Sequence, residues 1–319
     1  MRNYLIRRLI LFVPTILLVL VVVFVVMRIV PGDPAIAILS GEGGDGIFTD
    51  QELKDLQEQL GITGSIPTQF FHWLGDLARL DLGTSLTTGF PIKEDLQRRL
   101  PITFELAFMA AILSICIGIP IGIISAIRQD TLIDYVVRIF SMIGLAMPTF
   151  WVGVVMVLVM ALYFDWSPPL GYAAPWKNPS TNLQQMIWPA IALSYSSNGL
   201  LARMTRAQLL EVMRQDYIRT AWAKGLRERS VTIGHALKNA ALPILTLAGI
   251  QVGILLGGAA AIEIVFSVPG IGSLLIAAIF DRDYPTIQAV VLLIALTYLT
   301  TNFVVDLMYG WFDPRIRYT

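Results

Sequence analysis

The chain has 319 residues, of which 55% are hydrophobic and 14% charged, with a mean hydropathy of +0.68. Soluble domains carry about 25% charged residues, so that class is excluded. The lone cysteine, Cys116, excludes a disulfide framework, a cysteine zinc site and an iron–sulfur cluster within the chain, and a net charge of zero argues against a nucleic-acid binder.

A membrane span needs about 20 mostly apolar residues. The first is expected at 9–30, behind Arg2, Arg7 and Arg8. A cleaved signal peptide is the competing reading, since Ala35-Ile36-Ala37 resembles a cleavage site. The apolar stretch 9–27 exceeds the about 7–15 residues of a signal core, so a retained helix is expected. Residues 31–101 follow as an external segment. Gly41, Gly43 and Gly46 match a dinucleotide fingerprint, but no strand–turn–helix context surrounds them, and they read as a loop. Thr49-x-x-Glu52 predicts a capping box, Leu53, Leu56 and Leu60 share one helical face, and Gly61 is placed to end that helix. An amphipathic stretch at 69–82 completes a small helical subdomain expected to pack on the membrane helices or an external partner.

Further spans are expected at 102–127, 136–164 (tilted, or kinked near Pro148), 186–201, 241–266 and 286–311. Between them lie a proline-rich irregular loop at 165–185 and a short apolar run at 274–280, expected as a re-entrant or interfacial helix. The fold class is therefore an all-α membrane protein with six transmembrane helices and a helical external subdomain between the first two. Basic residues orient it: with the start of the chain inside, fifteen of the 23 Lys and Arg fall on inside segments, eight of them between Arg203 and Lys238. Both termini are thereby placed in the cytoplasm. The domain plan is 1–30, an external 31–101, a core of 102–311 with a cytoplasmic loop at 203–240, and a tail at 312–319.

Several residues invite a functional reading. Tyr195, Ser196, Ser197 and Asn198 form a polar patch inside an apolar segment, where such groups need partners or water; they are expected on a solute pathway, with interhelical hydrogen bonding as the alternative. Gly118 and Gly122, and Gly249, Gly253 and Gly257, are small-residue stripes that permit close helix approach, either at a mobile subunit interface or within one bundle. Glu105, Glu263 and Asp306 lie near span ends, where the interface could solvate them, and structural or interfacial roles are expected. Cys116 is expected to be a small buried apolar residue. His72 and His235 are too far apart to share a metal, so no metal site is expected. Neither a phosphate-cradling G-x-x-x-x-G-K-[ST] nor H-E-x-x-H nor G-x-S-x-G occurs, which disfavours an ATPase or an intramembrane enzyme. An ion-coupled secondary transporter would show a mid-membrane carboxylate or paired broken helices, and neither stands out.

The segment Asp216-Tyr217-Ile218-Arg219-Thr220-Ala221-Trp222-Ala223-Lys224-Gly225-Leu226, followed by His235 to Pro243, resembles the cytoplasmic coupling loop of ABC-importer permeases, above all the dipeptide/oligopeptide branch. Arg28-Ile29-Val30-Pro31-Gly32-Asp33-Pro34, Val265 to Gly272, Asp281-Arg282-Asp283-Tyr284-Pro285 and Asp313-Pro314-Arg315 agree with it, in order along the chain. The resemblance implies the type I ABC importer permease fold in a bacterial or archaeal cytoplasmic membrane and uptake of peptides, with glutathione, nickel complexes or oligosaccharides as alternatives. It implies no cofactor in this chain, with ATP and Mg held by two partner ATPase subunits. A second homologous permease and an external solute-binding protein complete the assembly. Asp216, Tyr217, Arg219, Thr220, Ala221, Ala223, Lys224, Gly225, Leu226 and Arg227 would contact the ATPase, Ala221 and Ala223 letting its surface approach closely. The acidic residue of the family's loop core is Arg219 here and its first alanine Thr220, which puts an acidic anchor at this position in doubt.

Overall fold

The computed structural model describes residues 2–29, 34–39 and 48–312; the glycines at 41, 43 and 46 and the tail from 313 lie outside them. Twelve α-helices occur among the described residues: α1 (Arg2–Ile29), α2 (Pro34–Leu39), α3 (Asp50–Gln59), α4 (Ile66–Ala78), α5 (Ile92–Ile127), α6 (Leu132–Ala146), α7 (Thr149–Phe164), α8 (Pro179–Met213), α9 (Asp216–Ala223), α10 (Lys238–Val265), α11 (Ile271–Phe280) and α12 (Tyr284–Phe312). A π-helical segment, Ser230–Leu237, leads into α10.

Among the described residues, four helical stretches are long and apolar enough to cross a membrane: Ile10–Ile29, Ile92–Ile127, Ser230–Val265 and Tyr284–Val305. A fifth is α6 with α7, but the two are bent by 106° at Pro148. The kink expected there is thus a break, because proline removes a backbone donor and disfavours helix at the preceding residue. α8 is a continuous helix of 35 residues, about 52 Å long, whose polar patch and charged end keep it outside that apolar set. Length and composition therefore give four or five spans where the sequence reading expects six.

Helices also outrun their apolar cores. α5 begins ten residues before the expected span, at Ile92, because Lys93 to Arg99 are good helix formers with Glu94 and Asp95 in the first turn. The span expected at 241–266 begins at Ser230, because the π-helical segment runs straight into α10.

α5, α8 and α10 form the core. Leu106, Ala107 and Ala110 of α5, Met186, Ala190 and Leu193 of α8, and Leu255, Ala259 and Ile262 of α10 make one buried apolar cluster. α6 lies along α8, with Ser141 opposite Gly199 and Gly144 opposite Tyr195. One end of the bundle carries α4, the hairpin around Ser85 and α11; the other carries α9 and the π segment.

At the α4 end, the helical subdomain packs on the membrane helices. α3 has the full capping box, with Thr49 N–H donating to Glu52 Oε2 at 2.7 Å and Glu52 N–H to Thr49 Oγ1 at 3.3 Å. It stops at Gly61, φ +61°, where Ile62 N–H reaches back to Gln57 O and Gly61 N–H to Glu58 O. α4 sets Phe70 and Trp73 against Phe24 of α1, at ring-centroid distances of 5.2 and 5.7 Å. Arg28 stacks on Phe24 and donates from Nε to Gln69 Oε1 at 2.9 Å. The short apolar run beyond α10 is α11, ten residues packed on Ile92, Leu96, Ala289 and Val290.

Candidate functional site

The loop expected at 203–240 is shorter than its sequence suggests, because α8 continues to Met213. What remains outside the long helices is an elbow: α9, a turn at Lys224-Gly225, and the approach to the π segment. Ile218 and Ala221 form the inner face of α9, in one apolar cluster with Ala126, Leu201, Leu209, Val231 and Ala236. The outer face presents Tyr217, Trp222 and Leu226, 45%, 41% and 37% exposed, among Asp216, Arg219, Thr220, Ala223, Lys224 and Arg227. Ala221, 8% exposed, therefore anchors the elbow to its own bundle, and Ala223 is the alanine open to a partner.

The turn has a clear cause. Gly225 has φ +73°, a region L-residues avoid, while Gly225 N–H bonds Trp222 O at 2.9 Å and Leu226 N–H bonds Ala221 O at 3.4 Å. A Cβ at Gly225 would meet nothing within 4 Å, so the requirement for glycine there is conformational, not steric. Among the described residues Arg219 makes only an exposed i,i+3 ion pair with Asp216, 3.4 Å, and its guanidinium stays at the surface.

Beside the elbow sits a group that the sequence reading did not single out. Asp134 of α6, fully buried, receives Arg206 Nε and Nη2 of α8 at 2.7 Å each, the Ser125 hydroxyl of α5, and the backbone N–H of Asp130 at 3.1 Å. This bidentate pair ties three helices at the α9 end. Its signals were an aspartate in the first turn of a mostly apolar helix and an arginine just past an apolar run.

The polar patch of α8 divides by face. Ser197 accepts from Gln251 Nε2 of α10 at 2.8 Å, and Asn198 Nδ2 donates to Ser194 Oγ at 3.4 Å. Both residues are buried inside the bundle, and Asn198 Oδ1 has no hydrogen-bond partner among the described residues. Tyr195 packs its ring edge-on against Phe140, 5.2 Å, and with Ser196 stays partly exposed. The glycine stripes also divide. A Cβ at Gly118 would lie 2.9 Å from Leu201 Cβ, and one at Gly122 2.5 Å from Ala202 O, so both permit the α5–α8 contact within one bundle. Gly253 faces Tyr298 and Asn302 of α12 in the same way, whereas Gly257 faces open space and Gly249 is half-buried.

The carboxylates at span ends are knit into the chain's own architecture. Glu263 is fully buried rather than solvated at an interface: it accepts from Thr103 Oγ1 at 2.6 Å and from Ser273 N–H at 2.8 Å, at the N-terminus of α11. Gly270 abuts its carboxylate and Gly272 abuts the Ala260 backbone, which explains the glycines of the Val265 to Gly272 motif by close approach. Asp283 caps α12 through Thr286 and holds Ser85 Oγ at 2.6 Å. Glu105 of α5 receives the Tyr172 hydroxyl and Asn182 Nδ2 of α8, fixing the irregular loop to both helices; burial and then the Glu105 carboxylate push the Tyr172 phenol pKa upward. Asp306 lies where side chains are not described. Among the described residues, no three His, Cys, Asp or Glu side chains cluster as a metal site would need. Cys116 is exposed, contrary to expectation, because a span's outer face is apolar too and small apolar residues need not turn inward.

A helical bundle centred on α5, α8 and α10, with a short helical elbow at one end, is the type I ABC importer permease fold. The solved MetNI methionine ABC transporter, in inward-facing conformations, shares it at a TM-score of 0.54 and 18% identity, over 68% of this chain and 96% of that one. The chain belongs to the family described as binding-protein-dependent transport system inner membrane component, matched over residues 118–318, and the family's N-terminal region matches residues 1–107. Similar proteins include a probable peptide ABC transporter permease, y4tP, of Sinorhizobium fredii, 38% identical over 99% of both chains. The dipeptide permease DppB of Alkalihalophilus pseudofirmus is 39% identical over the whole of both chains, and the glutathione permease GsiC of Pectobacterium atrosepticum 36% identical over the whole of both. The protein is thus a membrane permease subunit of ABC importers.

Proposed function

We propose that the chain forms, with a second homologous permease, the membrane pathway of an ATP-driven importer of peptides, and that α9 is its docking surface for the ATPase. The observation that carries the docking reading is the exposed shelf of Tyr217 and Trp222 on α9, with Leu226 just past its turn, while Ile218 and Ala221 anchor that helix to the bundle. Such a shelf on a polar segment fits burial against a partner. The peptide reading draws support from relatives named as dipeptide and oligopeptide permeases at 39% and 35% identity over full length. Glutathione, itself a peptide, is the second reading, favoured by the glutathione permease at 36%.

In this reading α9 and both termini face the cytoplasm, 31–101 faces outward toward a solute-binding protein, 102–311 is the permease core and 312–319 a cytoplasmic tail. α8 counts as the sixth span. ATP and Mg are held by two ATP-binding partner subunits, the chain itself holding neither cofactor nor ATPase site. Tyr195 and Ser196, the part-exposed members of the polar patch, line the solute pathway. The test is reconstitution in vesicles with the second permease, the ATPases and the binding protein. Uptake of labelled dipeptide that requires ATP on the α9 side is expected. Uptake by this chain alone, driven by an ion gradient, would refute the reading.

A further inference from the structure

A groove of about 310 Å³ runs between α6 and α8 at the α9 end, beside the Asp134–Arg206 pair. Its walls are apolar, including Val137, Met142 and Ala202, and its rim carries Arg138, Arg203 and Arg206. The arginines line this almost wholly apolar groove with their stems, which places an apolar body inside it and leaves positive charge at its mouth for an anionic head. Their charges are unequally used. Arg206 gives Nε and Nη2 to Asp134, which leaves Nη1 outside that pair. Arg138 lies 5.5 Å over the Tyr135 ring, and among the described residues neither it nor Arg203 has a carboxylate within ion-pair distance.

Depth and surroundings identify the occupant. The apolar run of α8 ends at Leu201, so Arg203 and Arg206 stand where a span meets the headgroup layer. The outer face of α6 beside the groove is strongly apolar, with Val136, Ile139 and Met142 each more than half exposed. A soluble anion would match the arginines but not these walls; an acyl chain would match the walls but not the arginines. We propose that the groove binds an anionic phospholipid, its phosphate between Arg138 and Arg203 and its acyl chain along α6. A basic pocket between membrane helices recognises such headgroups by charge-assisted hydrogen bonds in a setting of reduced dielectric. The site sits on the helix pair locked by Asp134–Arg206, next to the elbow, so lipid there stiffens the support on which α9 stands. Only the choice of leaflet rests on the proposed orientation of the chain.

The experiment uses the purified, delipidated transporter and reads lipid binding by native mass spectrometry, independently of transport. Phosphatidylglycerol is expected to bind about tenfold more tightly than phosphatidylcholine. The double variant Arg138→Gln/Arg203→Gln should lose that preference, and Arg138→Lys/Arg203→Lys should keep part of it. A photoactivatable phosphatidylglycerol on the wild-type complex should crosslink to peptides from 132–146 and 196–213, which keeps the test valid should the glutamine variant not assemble. Equal affinity for the two lipids, or crosslinks confined to other helices, would overturn the proposal. So would an undiminished preference in an intact glutamine variant. Displacement of the lipid by millimolar inorganic phosphate or by free peptide would reassign the groove to a soluble anion and overturn it too.

Discussion

At Gly225 a single backbone angle shapes the elbow. Because nothing crowds the position, Gly225→Val leaves packing intact and forces a β-branched residue to φ +73°, a strain of at least about 1–2 kcal/mol. The expected outcome is a complex that assembles and is monodisperse but hydrolyses ATP without moving solute; unchanged transport would remove the elbow from coupling. Glu263 makes a different residue-scale prediction. Removing its carboxylate in Glu263→Ala strands the Thr103 hydroxyl and the first amides of α11 in an apolar site, each such loss being worth about 1–3 kcal/mol. A clear fall in thermal midpoint is expected, with Glu263→Gln milder because an amide oxygen can still accept. Equal midpoints for wild type and alanine variant would contradict the capping role. At Glu52 the Thr49 backbone amide, then its hydroxyl, hold the carboxyl pKa below its usual value. That contribution to α3 is complete above the unfolded value and disappears as pH falls through the depressed one. The protection of the 52 and 53 amides, measured against their intrinsic exchange rates, should therefore fall only in acid.

Between elements, the Asp134–Arg206 pair joins α6 to α8 with one partner fully buried and the other one-fifth exposed. Breaking a buried pair from one side leaves an uncompensated charge and costs about 3–5 kcal/mol, whereas replacing both partners by apolar residues is often nearly neutral. Asp134→Leu alone should therefore lower the thermal midpoint more than Asp134→Leu with Arg206→Leu; the reverse order would show that the pair does not hold these helices. Glycine geometry separates two kinds of stripe. Gly122→Leu collides with Ala202 and Thr205 of α8 and should abolish folded protein, while a Cβ at Gly257 meets nothing within 4 Å, so Gly257→Leu starts into open space. If Gly257 faces the second permease, that variant should fold and insert yet fail to co-purify with its partner. Both helix-packing motifs were visible as small-residue spacings, but spacing is silent on whether the facing helix belongs to the same chain. That required the positions of α8 and α12.

Over the whole molecule, sidedness is the first thing to establish. With Cys116 replaced, single cysteines at Trp222 and at Phe71 should react with an impermeant thiol reagent from opposite faces of sealed vesicles, Trp222 from the cytoplasmic face. Labelling of both from one face would invert or dissolve the proposed topology. The helices around the capping box, the box itself, the break at Pro148 and the glycine turn were legible because each depends on residues close in sequence: a side-chain oxygen three positions from an amide, a missing donor, a tolerated φ. The extents of α5, α8 and α10 were less legible, since charged helix formers extend a helix past the apolar window that reveals it.

What the sequence by itself determined, then, is the membrane class, the local caps and breaks, and the ordered motifs by which the family is known, all of which follow from composition and short-range chemistry. The tertiary structure decided which side of each motif is inward. It turned Ala221 toward its own bundle and Ala223 outward, split Tyr195–Asn198 between a buried seam and a part-exposed face, and paired Asp134 with Arg206 across 72 residues. The physical reason is the same in each case. In a span, apolar residues face lipid and core alike, so hydrophobic periodicity loses its inside–outside meaning, and only the arrangement of neighbouring helices restores it.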